Sequence, residues 1–179
     1  MQYRLALTAA LLLALALPFA GQTQQVPESI SGPSKLVETY QSWIVRCVTP
    51  KPAKGRPTPK HICEMAQDLT RKQDGQRLLS MGLQPSDKGA SLTLVAPFGL
   101  LLSAGVTITI DGKSASHGEF RTCLPRGCIS IINLSRKTLD RLKSGRTAKL
   151  AMRTTGGTDF AIQISLAGFS AAWKRLIGL

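Results

Sequence analysis

The sequence predicts an all-β fold: a β-sandwich of immunoglobulin-like architecture with one short internal helix, a C-terminal helix and two disulfides, with a closed barrel as the alternative. Three observations carry that expectation. From Trp43 onward apolar and polar residues alternate with period two, and the apolar ones are rich in Val and Ile, the pattern of strands with one buried face. Turn residues punctuate these runs at short intervals, as at Pro97–Gly99, Asp111-Gly112 and Gly156-Gly157. Four cysteines, Cys47, Cys63, Cys123 and Cys128, all lie beyond the N-terminal leader, an even number in a chain that looks exported.

Residues 1–20 hold one cation, Arg4, then a nearly unbroken apolar run from Leu5 to Leu17 and the small residues Ala20 and Gly21. That run is shorter than the roughly 20 apolar residues of a membrane-spanning helix, so it reads as a secretory signal peptide, with a retained anchor as the alternative. Residues 21–41 are polar, contain Pro27, Gly32 and Pro33, and read as a flexible arm. The remaining 42–179 are expected to form one domain with no transmembrane segment.

Within that domain Trp43, Val45 and Cys47 alternate with Ile44, Arg46 and Val48, and a second strand-like run covers His61 to Leu69. The stretch Leu92–Leu134 is its centre: an apolar run that breaks at Pro97 and Gly99, a strand at Val106–Ile110, a turn at Asp111-Gly112, and two cysteines around Leu124-Pro125-Arg126-Gly127. Arg136–Ser144 reads as a helix, with Ser135 as its N-cap, Leu134 placed to pack on Leu139, and Gly145 at its far end. Leu150 and Met152, then Phe160, Ile162, Ile164 and Leu166, form two alternating runs around Gly156-Gly157, the mark of a hairpin. Phe169, Trp173, Leu176 and Ile177 recur at helical spacing, so the C-terminus is expected to lay an amphipathic helix on the sheet, with insertion at a membrane surface as the alternative.

Four cysteines allow three pairings. Cys47 with Cys63 and Cys123 with Cys128 is the expected one, because each pair flanks a Pro-containing loop between two strand-like runs.

The residues give little support to catalysis. There are two histidines, His61 and His117, neither in a catalytic motif, and no G-x-S-x-G elbow. His61, Cys63, Cys123 and Cys128 make a poor zinc set, since cysteines spaced like these in an exported chain form bridges. The glycines match no phosphate-cradling pattern. No enzyme, metal or cofactor is expected.

Charge is the strong signal, with 23 Lys plus Arg against 10 Asp plus Glu and a formal net charge of +13. Loss of the leader removes only Arg4. Two concentrations stand out: Lys51, Lys54, Arg56 and Lys60 in a Pro-rich loop, and Arg136, Lys137, Arg141 and Lys143, followed by Arg146 and Lys149. Such clusters attract polyanions. For an exported protein these are anionic glycans and lipids of the envelope or a host surface, whereas nucleic acid is out of reach. The other reading is a structural or chaperone-like module of the periplasm that binds another envelope protein through strand edges.

Taken together, several spaced residues resemble a known family. They are Trp43 before Cys47, the run Cys63-Glu64-Met65, the block Pro97, Gly99, Leu102, Gly105 and Val106, Phe120 before Cys123, Gly127-Cys128, and Gly168-Phe169 ahead of a terminal helix. In this order they resemble the invasion-associated locus B proteins of alphaproteobacteria. The resemblance implies an exported envelope protein with a β-sandwich domain, found in the periplasm, associated with the outer membrane or secreted, and named for an association with virulence and host-cell invasion. It transfers no catalytic residue, and the basic loop between Cys47 and Cys63 is longer than the family pattern.

Overall fold

The computed structural model describes residues 35–50 and 61–179. The leader, most of the expected arm and the basic loop with Lys51, Lys54, Arg56 and Lys60 lie outside the described residues. Among the described residues eleven strands fall into two sheets. The larger contains β1 (Lys35–Tyr40), β2 (Trp43–Val48), β3 (Ile62–Thr70), β4 (Arg77–Ser86), β5 (Gly89–Ala96), β9 (Gly127–Ser135) and β8 (Phe120–Leu124), in that spatial order. The smaller runs β11 (Asp159–Ser165), β10 (Thr147–Arg153), β6 (Val106–Ile110), β7 (Lys113–Gly118). Every pairing is antiparallel, and β1 to β5 form an uninterrupted meander. The chain then crosses to the smaller sheet for β6 and β7, returns for β8 and β9, and crosses again through helix α1 (Arg136–Ser144) to β10.

Period two is what fixes the layers. Val45, Met65, Leu83, Leu92 and Ile132 point from the larger sheet into the core, and Val106, Ile108, Ile110, Leu150 and Ile164 meet them from the smaller one. The smaller sheet does not cover the whole larger one. Helix α2 (Phe169–Ile177) fills the remainder, packing on β1, β2 and β3 through Phe169, Ala172, Trp173 and Leu176. The expected C-terminal helix therefore turns its apolar side inward.

One expectation needs correction. Residues 35–40, assigned above to the flexible arm, are edge strand β1, paired with β2 from Lys35↔Val48 to Tyr40↔Trp43. The strand escapes the period-two signal because an edge strand is only half buried, and because an acidic residue, Glu38, takes an inward position. Glu38 is matched there by Arg175 of α2, at 2.7 and 3.0 Å, and by the Tyr40 hydroxyl at 3.0 Å. The Arg175 hydrogen bonds lead the causes that hold the Glu38 carboxyl below its usual range.

Both disulfides join the expected partners, Cys47–Cys63 and Cys123–Cys128. Each links residues directly opposite one another on neighbouring strands, with Cα atoms 4.0 and 3.9 Å apart.

Candidate functional site

Helix α1 begins where its sequence says it should. Ser135 is extended and its hydroxyl accepts from the Thr138 N–H at 3.2 Å, satisfying one of the donors a helix start leaves open. Thr138, Leu139 and Leu142 are buried, so Arg136, Lys137, Asp140, Arg141 and Lys143 share the opposite side. Gly145 ends the helix in an extended conformation, and its N–H bonds the Arg141 carbonyl. Glycine is required there because a Cβ would come within 2.8 Å of the Arg141 carbonyl oxygen and 2.9 Å of Ile110 Cγ2.

The four expected anion contacts on α1 are not equivalent. The Arg141 guanidinium donates to the carbonyls of Ser114 at 2.8 Å, Lys113 at 3.0 Å and Ile110 at 3.4 Å. It clamps the β6–β7 turn to the helix and has few donors left for a ligand. Arg136 donates one bond to the Asp87 carbonyl at 3.2 Å, and Lys143 lies 3.0 Å from Asp140. Lys137 is exposed, as are Arg146 and Lys149 just beyond the helix. The clamped turn is a two-residue hairpin in which Asp111 and Gly112 both have positive φ, 46° and 79°. The Asp111 carboxylate accepts from the backbone N–H groups of Thr147, at 3.0 Å, and Arg146, at 3.2 Å, so the start of β10 is fixed to the same corner.

A second basic feature lies on the outer face of the larger sheet. An open groove of about 670 Å³ crosses β2, β3, β4, β5 and β9 there and ends against the turn between β8 and β9. Arg46, Arg77 and Arg126 supply its cations, Asp68 and Ser80 its other polar groups, and Val95, Ile129, Leu124 and Pro125 its apolar surface. Arg46 is held by Glu64, with Nε 2.6 Å from Oε1. Glu64 in turn lies over Gly82, where a Cβ would come within 2.5 Å of its Oε2. Arg77 sits beside an irregularity in the β3–β4 register and donates to the Arg126 carbonyl, tying β4 to the far turn. The sequence offers no cue for this grouping. Arg46 reads as an ordinary solvent-facing strand residue, Arg77 falls in no element read from the sequence, and only Arg126 stands out, through its place between two cysteines.

The histidines stand apart from any such grouping. His61 Nδ1 is 2.8 Å from Thr49 Oγ1, and His117 Nδ1 is 3.3 Å from Thr107 Oγ1, both on the surface. All four cysteines are oxidised, so no thiolate is present. Among the described residues no group of three His, Cys, Asp or Glu side chains could hold a metal ion, and no helix is long and apolar enough to cross a membrane.

A family model described as "Invasion associated locus B (IalB) protein" matches residues 43–176. The chain belongs to this family. It is 35% identical over 150 residues to an invasion protein B homolog of Brucella abortus (strain 2308), covering 83% of each chain. It is 33% identical over 154 residues to invasion protein B of Bartonella bacilliformis, covering 83% of this chain and 78% of the relative. The crystal structure of invasion associated protein B from Bartonella henselae superposes with a TM-score of 0.69 at 31% identity, covering 80% of this chain and 95% of the other.

Three residues of the invasion-associated locus B pattern, Trp43, Gly105 and Gly168, have structural roles. Trp43 is buried under α2 and Gly168 begins that helix with φ of 86°, its missing side chain making room for the Tyr40 carbonyl. Gly105, at φ 64°, lets the chain enter β6 within reach of the Gly118 carbonyl and the His117 ring. Trp43, Gly105 and Gly168 thus record how the sandwich is assembled.

Proposed function

We propose that this chain is an exported, non-catalytic protein of the cell envelope, acting as a binding module whose α1 face holds anionic glycans or lipids of the envelope or of a host surface. The observation that carries this reading is the distribution of charge along α1. Arg136, Lys137 and Lys143 share the solvent side of the helix with one carboxylate, Asp140, and Arg146 and Lys149 follow at once. Close-set cations concentrate a polyanion at the surface and release it as salt screens them. Two disulfides and a leader-like N-terminus support export, and the relatives' printed names support a part in invasion. Within the family this reading makes the sandwich a scaffold and α1 its contact surface.

Two measurements test it. Tagged protein on intact cells, treated with protease before and after the outer membrane is opened, separates a host-facing from a periplasmic role. Digestion on intact cells supports host association, and protection until opening confines the protein to envelope partners. Binding of the purified protein to lipopolysaccharide and to heparin should weaken with salt and with the triple change Arg136→Gln, Lys137→Gln, Lys143→Gln. Binding unaffected by both would remove α1 as the contact surface.

A structural or chaperone-like role has one observation in its favour. Among the described residues edge strand β1 is paired on one side only and carries the half-exposed Val37, so this edge can accept an extended segment of another envelope protein. A pull-down from envelope extract with Val37→Lys protein as control would retain a partner on the wild-type chain alone if that reading holds.

A further inference from the structure

We propose that the groove on the outer face of the larger sheet is a binding site for a phosphosugar, separate from the cationic face of α1.

Among the described residues the cations in the groove are all arginines, Arg46, Arg77 and Arg126, although lysines are common elsewhere in the chain. A guanidinium is a planar fork that meets two oxygens of a phosphate at once, whereas an ammonium acts as a point charge. Among the described residues Arg126 keeps its whole fork free, Arg46 and Arg77 keep the donors not taken by Glu64 and the Arg126 carbonyl, and together they favour recognition of a phosphate group over diffuse attraction. An anion alone does not account for the carboxylate of Asp68 beside them. A carboxylate repels phosphate and accepts hydrogen bonds from hydroxyl groups, and the Ser80 hydroxyl beside it can both donate and accept. Val95, Ile129, Leu124 and Pro125 offer C–H surface for a sugar ring to lie on. The volume, about 670 Å³, is that of a small-ligand site.

The walls are built to stay in place, which is what separates a site from a chance cluster of charges. The Cys123–Cys128 bridge closes the Leu124–Gly127 turn, and Gly127, with φ of 133°, lets that turn lie against the Ala96 carbonyl. Arg77 binds the turn's backbone from β4, and Glu64 fixes Arg46. The Arg126 side chain makes no hydrogen bond to any described residue, so its fork remains available to a ligand.

Calorimetry on the oxidised protein without its leader, with glucose 6-phosphate, glucose and inorganic phosphate as probes and phosphatidylglycerol vesicles as a fourth arm, tests the proposal. Glucose 6-phosphate is expected to bind about tenfold or more tightly than glucose or phosphate, and Arg126→Lys to weaken it about tenfold at unchanged Tm, since charge remains and the fork is lost. Asp68→Asn should weaken glucose 6-phosphate binding while leaving phosphate binding equal or stronger. Lys137→Gln on α1 should change nothing. Amide shifts on titration should fall at Val95, Leu124–Gly127 and Ile129. The proposal fails if phosphate binds as well as the phosphosugar, if Arg126→Lys binds like wild type, or if only the vesicles bind. Loss of binding in Lys137→Gln with Arg126→Lys unaffected would overturn the groove and leave the α1 reading standing. The reverse would support the groove without supporting α1.

Discussion

The indole of Trp43 and the phenyl ring of Phe169 meet edge to face, with centroids 5.1 Å apart and planes at 87°. Both are essentially inaccessible to solvent, and the Trp43 Nε1–H donates to the Ser165 carbonyl at 3.0 Å. Strand β2, the end of β11 and helix α2 thus converge on one aromatic pair. Phe169→Ala should cost about 3–5 kcal/mol by urea denaturation, because it leaves a cavity at that junction. Lys174→Ala, on the exposed side of the same helix, should stay within about 0.5 kcal/mol of wild type. A Phe169→Ala cost below about 1 kcal/mol would mean that α2 is not held through this pair.

Acid should loosen the β6–β7 corner. The N–H of Thr147, then that of Arg146, donates to Asp111 and holds its carboxyl below the usual aspartate range. A lowered folded-state pKa contributes stability that is complete above the unfolded value, about 3.9, and is lost as the pH falls through the lower folded value. Tm should therefore drop more steeply below about pH 4 in wild type than in Asp111→Asn, which keeps a residue tolerant of positive φ but does not titrate. Parallel Tm profiles for the two proteins would remove Asp111 as a source of acid sensitivity.

Two glycines with similar φ should answer differently to alanine. Gly157, at φ 81°, has open space where a Cβ would sit, so Gly157→Ala should cost only the backbone strain of about 1–2 kcal/mol. At Gly168, φ 86°, an added Cβ collides with the Tyr40 carbonyl and crowds Gln41, so strain and overlap add. Gly168→Ala should lower Tm by clearly more than Gly157→Ala, and equal shifts would show that the α2 start relaxes freely.

The two bridges should differ in weight. By loop-closure entropy the Cys47–Cys63 link, spanning 16 residues, is worth about 3 kcal/mol, and the Cys123–Cys128 link, spanning 5, about 2 kcal/mol. Denaturation of Cys47→Ala/Cys63→Ala and Cys123→Ala/Cys128→Ala proteins measures each. The second pair should matter more to groove binding than to stability, because its bridge closes the turn bearing Arg126.

Much of the fold was legible because it rests on local chemistry. Val106, Ile108 and Ile110 announce β6 by alternation, and Ser135 and Gly145 bracket α1 by capping and by steric need. Strand β1 was hidden because its inward residue is Glu38, whose partner Arg175 lies 137 residues away and cannot be paired by inspection. The candidate site was less legible still. Arg141 reads as one more cation in a basic segment, yet three carbonyls of another hairpin take up its donors. Arg46, Arg77 and Arg126 are scattered along the chain and become neighbours only once the meander sets their strands in order.

Cys47 and Cys63 face each other across one rung of the β2–β3 ladder, and Val48 pairs with Ile62 just beyond, so the bridge holds together the two ends from which the β2–β3 connection starts. Loop closure makes extra length there inexpensive, each doubling adding only about 0.6 kcal/mol. Added sequence between the two cysteines therefore costs the sandwich little in closure entropy, because the bridge already holds its ends together.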